Sequence, residues 1–493
     1  MRYMAGLGTG VKYAVHRDSL VNLVRGITER VLYVRRGEGL VKPPQARDGV
    51  FVRLSSIRKR LLKKVRSTPL VALDDYPLLY DGRKRVIYQS AVDSLKLRGL
   101  TSSDAKVSTF VKAEKVNLDA KVDPAPRVIQ PRSPRYNVEV GRYLKLFEKE
   151  LFRGFARVWG YPVVLKGLNA QAVGGWMATH WSQFDNPVAI GLDASRFDQH
   201  VGKQALSWEH SVYVGAFGGD QRLAKLLRWQ LTNHGVGRAE GHKVEYTVEG
   251  CRMSGDINTG LGNCLLMSCI VIAYCELKGL RFRLANNGDD CVLFVDKSDQ
   301  DRLSQLDSWF LDFGFTLTRE PPVYELEHVE FCQTRPIRCA DGWRMVRDPR
   351  SAMSKDCVSL LGWASEAEIK AWAMSVGTCG RSLTRGVPVW ESWYDRLIGA
   401  GGSLSAGVDE RVRDSGFGYM SKGMVGCQID DQVRVSFWRA FGITPDFQES
   451  LEQEYRESIV LNTSLTPVTS DFPPLVDQQN PLTLWLEHTR SSP

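Results

Sequence analysis

Three short segments carry the residues best suited to chemistry on phosphates. Gly288-Asp289-Asp290 puts two adjacent carboxylates in a turn-forming stretch, 286–290, just ahead of the apolar run 291–295. Burying paired like charges is costly, so these acids belong at a hairpin tip, where they are either hydrated or hold a hard cation. In segment 191–198 an apolar strand, 188–192, ends on Asp193, and Asp198 follows on the next turn. Carboxylates from two such segments could clamp two divalent ions about 4 Å apart, which stabilises both oxygens of an in-line phosphoryl transfer. The third segment, 251–263, is small, polar and glycine-rich and opens an apolar helix. Its Ser254, Thr259 and Asn263 offer uncharged hydrogen bonds, and Gly255 permits a close backbone approach. Taken singly, each segment also reads as an ordinary decorated turn, strand end or helix cap.

The elements that must position these residues follow from periodicity. The pattern predicts strands at 188–192 and 291–295, the latter leaving a hairpin, and a buried helix over 265–277. An amphipathic helix is expected over 298–313, with Leu303, Leu306, Phe310 and Phe313 inward and Gly314 as its stop. Nearer the start, 57–66 sets Ile57, Leu61, Leu62 and Val65 on one helical face and basic residues on the other. That basic face is either a plain solvated surface or a contact for phosphates or membrane. Residues 346–493 are rich in Trp and Gly with helical patches, and the proline-bearing stretch 466–493 reads as a poorly ordered tail.

The 493 residues, 43% hydrophobic and 25% charged, fit a soluble globular chain with a large core. This balance excludes collagen-like, mostly disordered and coiled-coil chains. Charge is uneven: the first 150 residues hold 31 Lys and Arg against 15 Asp and Glu, and the rest 34 against 41. Such asymmetry favours a polyanionic partner, nucleic acid or an anionic membrane. The ten cysteines begin only at Cys251 and include no C-x-x-C pair, which argues against a zinc site or disulfide scaffold and for a reducing intracellular compartment. The longest apolar run, 264–275, is too short for a bilayer span of about 20 residues. There is no P-loop signature and no H-E-x-x-H.

In order and spacing, the three segments resemble motifs A, B and C of the palm of a viral RNA-dependent RNA polymerase: Asp193-x4-Asp198, Ser254-Gly255-x3-Thr259-x3-Asn263 and Gly288-Asp289-Asp290. Segments 110–115 and 126–132 look like motif F, 314–318 like motif D, and 331–333 like motif E. The details are most similar to the tombusvirus family and tombus-like viruses. The resemblance implies an α+β right hand: basic fingers at 1–185, an antiparallel-sheet palm at 186–345 with an inserted fingers segment near 203–248, and a thumb at 346–465.

Carried over residue by residue, the resemblance makes Asp193, Asp289 and Asp290 the catalytic acids and ligands of two Mg²⁺ ions, with Mn²⁺ a possible substitute. Asp198 and Asn263 would read the ribose 2′-hydroxyl, helped by Ser254, Gly255 or Thr259. Lys112, Lys115 and Arg127 would line the entering triphosphate, and Arg132 and Cys332 would meet RNA. Motif D often supplies a basic proton donor; Arg319 stands nearest, but an Arg cannot readily donate a proton, so that role is unassigned. The implied partners are template and nascent RNA, NTPs and a membrane-anchoring viral replication protein. The implied location is the host cytoplasm, at membrane-bound replication complexes. A reverse transcriptase is the first rival, disfavoured by Asp198 and Asn263, and an inactive RNA-binding palm is the second, disfavoured by the intact acids.

Overall fold

The computed structural model describes residues 2–3, 13–37, 39–120, 123–360, 365–400 and 420–457. The expected tail, 466–493, lies outside the described residues. At the centre is a four-stranded sheet in the order Phe282–Asn287, Asp290–Asp296, Pro187–Ala194, Leu317–Arg319, with every neighbouring pair antiparallel. Its two middle strands come from sequence that is apolar at nearly every position. Val188, Ala189, Ile190 and Leu192, and all of Cys291 through Val295, are buried. Alternation is lost because both faces of these strands are covered. On Phe294, for example, Trp176 and Trp181 of helix Ala170–Trp181 pack at ring distances of 5.8 and 5.6 Å.

Helix Thr259–Leu277 packs on the sheet strand Phe282–Asn287. Every residue from Leu261 to Cys275 is buried, as its all-round apolar sequence demands. It starts at Thr259 rather than 265, so Asn263 is a helical residue. By length and composition this helix could cross a membrane, but 83% of its apolar window is buried inside the protein.

A second sheet, ordered His242–Glu249, Thr232–Ala239, Val107–Val111, Val128–Ile129, joins the early and middle parts of the chain. Thr232–Ala239 and His242–Glu249 form a hairpin of two eight-residue strands around Glu240 and Gly241, both at positive φ. Val107–Val111 runs parallel to Thr232–Ala239. In the chain, helices Lys203–Ala216 and Gln221–Arg228 fill the stretch between Asp198 and the hairpin. A separate core in the last third gathers Trp390, Trp393, Tyr394 and Phe437.

Two expected helices differ in detail. Segment 298–313 is not one helix: a 3₁₀ segment, Lys297–Leu303, precedes a short α-helix, Leu306–Asp312. The four expected apolar residues are all buried, and Gly314 follows at φ +86°. Asp296 caps the start of the 3₁₀ segment: its Oδ1 accepts from both the backbone N–H and the hydroxyl of Ser298 (3.1 and 2.9 Å). The second helix, Ser55–Lys64, stops short of Val65, which takes an extended conformation, and buries Ile57 and Leu61. Part of its basic face is engaged internally, since Arg58 donates to Ser211 Oγ and to the Ser211 carbonyl and Arg60 pairs with Glu276. Lys59, Lys63 and Lys64 stay exposed.

Candidate active site

The register of the central sheet decides the site. Asp290 is the direct cross-strand partner of Asp193, and directly opposed residues of an antiparallel pair have Cα atoms about 4.5–5.5 Å apart. Asp289 sits beside them in the two-residue turn that links Asn287 to Asp290. Gly288, at φ +97°, takes the turn position that side chains resist. Buried Asn286 braces this tip: its Oδ1 accepts from Gly288 N–H (3.1 Å), and its Nδ2 donates to the Gly288 carbonyl (2.8 Å). Backbone bonds from Leu165 to the Asn286 carbonyl and from Asn286 to the Val163 carbonyl, both 2.9 Å, tie the same residue to the segment before the next helix.

Asp193, Asp289 and Asp290 are all exposed. Asp290 is nonetheless raised from the ordinary carboxylate range, by partial burial first and then by Asp289 and Asp193. Glu320, on the far side of strand Pro187–Ala194, is raised too, by burial first and then by Glu330, Asp193 and Asp290. Converging like charges are unfavourable unless a cation joins them. The oxygen-only donor set suits a hard divalent ion such as Mg²⁺. Cys332 lies against this cluster at φ +52°. Asn287 Nδ2 donates to its sulfur (3.1 Å), and its thiol, pushed up to about 12 mainly by burial, is held protonated beside Asp290. So Cys332 is half-buried, with its sulfur bonded by Asn287 beside the acids.

Asp198, in the short helix Phe197–His200, and Asn263 meet directly: Asn263 Nδ2 donates to Asp198 Oδ1 at 2.7 Å. Burial raises Asp198, and the nearby Asp289 charge adds to the effect. The loop before helix Thr259–Leu277 is fastened to both neighbours. Arg252 N–H donates to the Asp198 carbonyl (2.8 Å), and Ser254 Oγ accepts from Gln130 N–H (3.1 Å) and donates to the Val128 carbonyl (3.4 Å). Thr259 Oγ1 donates to the Met253 carbonyl at 2.9 Å. The hydroxyls of Ser254 and Thr259 thus bond the loop and strand backbone, and Asp198 and Asn263 alone of that group form a side-chain pair.

Gly255 touches the backbone of Pro131. A Cβ there would stand 2.5 Å from Pro131 Cα and 2.7 Å from the Gln130 oxygen, neither of which is a side chain that can swing away. Gly255→Ala is therefore expected to lose about 1–3 kcal/mol of stability and to lower activity by shifting the loop. Gly175→Ala, where a Cβ meets nothing within 4 Å, is the matched control. Thermal melts of the two variants check the difference.

The basic side is assembled from Lys112, Lys115 and Arg127. Glu114 pairs with Lys112 (2.8 Å) and with exposed Arg127 (3.3 Å). Lys115 turns away from the acids: its Nζ donates to the Lys355 carbonyl (2.6 Å), and burial pushes its pKa down to about 8. It lines a cavity of about 380 Å³ together with Arg30, Arg127, Arg347 and Lys355. Arg30 is pushed down to about 10 by burial and by its neighbours Arg196 and Arg127. The cavity therefore gathers positive charge beside the site.

Arg132 requires a correction. Expected at the RNA, it is buried, with its guanidinium bound to Asp256, the Ala105 carbonyl and Asn233 Oδ1. A buried cation with every guanidinium nitrogen bonded inside the protein cannot reach a phosphate. Sequence reading also missed Arg252, Glu209 and Asn286. Asn286 had a signal, an Asn two residues before a turn glycine. Glu209 and Arg252 had none, being 43 positions apart in different elements. Away from the site, Cys339, Asp341 and Cys427 bring donor atoms within 4.8 Å of one another, but Asp341 is already ion-paired with buried Arg344 at 2.9 Å.

A family model described as viral RNA-dependent RNA polymerase matches residues 1–462. The chain is 48% identical over 460 residues to the RNA-directed RNA polymerase of turnip crinkle virus, covering 92% of this chain and 59% of that protein. It is 46% identical to the corresponding enzyme of carnation mottle virus (93% and 60% covered) and 42% identical to that of maize chlorotic mottle virus (97% and 50% covered). The chain thus spans between half and three-fifths of the length of these relatives.

Proposed function

Since the chain belongs to the viral RNA-dependent RNA polymerase family, we propose that it copies a positive-strand RNA virus genome by transferring nucleotides from NTPs to an RNA 3′-hydroxyl. The observation that carries this reading is the cross-strand pairing of Asp193 with Asp290 beside Asp289, with the Asp198–Asn263 pair close enough for Asp198 to feel the Asp289 charge. The antiparallel sheet within 186–345 is the palm. The inserted segment 203–248 belongs with fingers 1–185, a reading supported by its pairing with Val107–Val111. The described residues within 346–465 are read as the thumb.

Asp193, Asp289 and Asp290 would hold two Mg²⁺ ions, or Mn²⁺ in their place, and such a pair when bound supplies charge stabilisation to the attacking and leaving oxygens. The chain's own residues do the rest. The tip braced by Asn286 holds Asp289 in place before the substrate arrives. Lys112 and Arg127 draw the triphosphate toward the acids, while Lys115, bonded to the Lys355 carbonyl, adds its charge to the basic cavity it shares with Arg127, Arg30 and Lys355. Asp198 accepts, and Asn263 donates, hydrogen bonds around the sugar hydroxyl. A 2′-deoxy sugar leaves those polar groups without their partner.

Purified protein, a short RNA template, NTPs and Mg²⁺ test the reaction directly; failure to extend RNA overturns the reading. Asp198→Ala and Asn263→Ala are expected to lower the preference for NTP over dNTP before they end synthesis. Loss of one such bond costs about 1–3 kcal/mol, or roughly 5–150-fold in that preference. Unchanged preference in both variants would remove the sugar-reading role. We further propose that a membrane-anchoring viral replication protein recruits the chain to membrane-bound complexes in the host cytoplasm, supported by its similarity to tombus-like polymerases. Co-flotation with membranes only when that partner is present is the expected result.

A further inference from the structure

We propose that the buried ion pair Glu209–Arg252 is the positioning device that sets the sense of the Asn263 amide, and through it the choice of ribose over deoxyribose. The proposal rests on the sugar-reading role of Asp198 and Asn263 and adds the residues that orient them. Arg252 lies in the loop before helix Thr259–Leu277, and Glu209 in helix Lys203–Ala216 of the inserted segment. Both side chains are wholly buried. They meet as a two-pronged pair, Nη1 to Oε1 at 3.0 Å and Nη2 to Oε2.

The third guanidinium nitrogen, Nε, does the positioning. Arg252 Nε–H donates to Asn263 Oδ1 at 3.1 Å, and Asn263 Nδ2 donates to Asp198 Oδ1 at 2.7 Å. A guanidinium can only donate and an ionised carboxylate can only accept. An amide between them therefore has one allowed sense. Turned over, it would set its oxygen against the carboxylate and its NH₂ against the cation. The pair thus presents an N–H to Asp198 Oδ1 and leaves Asp198 Oδ2 to accept from a sugar hydroxyl. Arg252 also reaches Asp198 through its own backbone N–H, which donates to the Asp198 carbonyl at 2.8 Å.

The aim of Arg252 is set in turn by what surrounds Glu209. Tyr213 Oη and Asn258 Nδ2 donate to Glu209 Oε1 at 2.8 and 3.0 Å, and Gln230 Nε2 holds Asn258 Oδ1 at 2.9 Å. Gly262 lets the helix start lie directly on the pair; a Cβ there would stand 2.4 Å from both Arg252 Nη2 and Glu209 Oε1. A buried ion pair is weak evidence for stability, since an apolar pair of similar size often does as well. Here every guanidinium nitrogen is engaged, and the chain of bonds ends on the sugar readers.

The test measures kcat and KM for NTP and dNTP on one RNA template, with thermal melts alongside. Arg252→Lys keeps a charge opposite Glu209 but has no Nε–H. The double variant Arg252→Met with Glu209→Gln removes both charges together, so neither is stranded. Tyr213→Phe removes one bond to Glu209 and leaves the pair, the mildest of the three. The expected result is a fall in the NTP-to-dNTP ratio of kcat/KM of about tenfold in the first two and about two- to threefold in Tyr213→Phe, carried mainly by KM for NTP. A purely structural role would lower the melting temperature and reduce kcat for both nucleotides alike; an unchanged ratio in the variants that fold overturns the proposal. Asp198→Ala and Asn263→Ala, run in parallel, separate the two levels. If they lower the ratio and the Arg252 and Tyr213 variants do not, only the positioning role fails. If they leave it unchanged, the sugar reading fails and this proposal falls with it.

Discussion

Asp289→Asn is expected to abolish RNA synthesis, by about 10³-fold or more, while RNA binding and folding survive. The size follows from chemistry: ions held by these carboxylates supply several kcal/mol of charge stabilisation, and each 1.4 kcal/mol is about tenfold in rate. The survival of the fold follows from position. Asp289 is exposed at a two-residue turn whose geometry is set by Asn286 and Gly288. Removing one of several clustered negative charges relieves repulsion, so the melting temperature is expected to hold or rise slightly. Asp193→Asn should behave alike, from the facing strand. Glu320→Gln is the informative contrast, because it is influenced by the same acids but extends from the next strand over; its effect should be far smaller. Nucleotide incorporation and RNA gel shifts, measured on the same preparations, check the two halves. Synthesis persisting in Asp289→Asn would end the metal assignment.

The central strands and their acids were legible because both strands are apolar runs closed by polar turns. The structure extends the first to Pro187–Ala194 and the second to Asp290–Asp296. Helix Thr259–Leu277 was legible in its apolar body but not in its start, where Gly260 and Gly262 disguise a helical turn packed against Lys166 and the Glu209–Arg252 pair. The break near residue 304 was hidden because apolar spacing alone fits both a 3₁₀ segment and an α-helix. Lys115 and Arg132 read as cations ready for phosphate, yet one donates to the Lys355 carbonyl and the other is buried on Asp256. Their partners lie 240 and 124 positions away, and spacing carries no sign of contacts that distant. A basic residue near a proline looks the same whether it faces solvent or a buried carboxylate.

Arg132→Ala is expected to cost about 3–5 kcal/mol of stability, because it strands a buried charge. The guanidinium gives Nε to Asp256 Oδ1, Nη1 to the Ala105 carbonyl at 2.5 Å and Nη2 to Asn233 Oδ1 at 2.5 Å, and it lies 5.4 Å from the centre of the Tyr136 ring. Both ends of the ion pair are almost wholly covered. Without Arg132, Asp256 keeps its burial and loses its counter-charge, and Asn233 and Ala105 each lose a donor. The loss also loosens the Gln130–Pro131 segment against which Gly255 packs, so the loop leading to Asn263 is affected. Thermal or denaturant melts give the stability loss. RNA binding distinguishes the reading from a phosphate contact. In Arg132→Lys, which keeps a charge for Asp256 and cannot make all of the other bonds, the melting temperature should fall while the salt dependence of RNA binding keeps its slope. A slope of log affinity against log salt reduced by about one in Arg132→Ala or Arg132→Gln, with stability intact, would instead make Arg132 a phosphate ligand and overturn its burial.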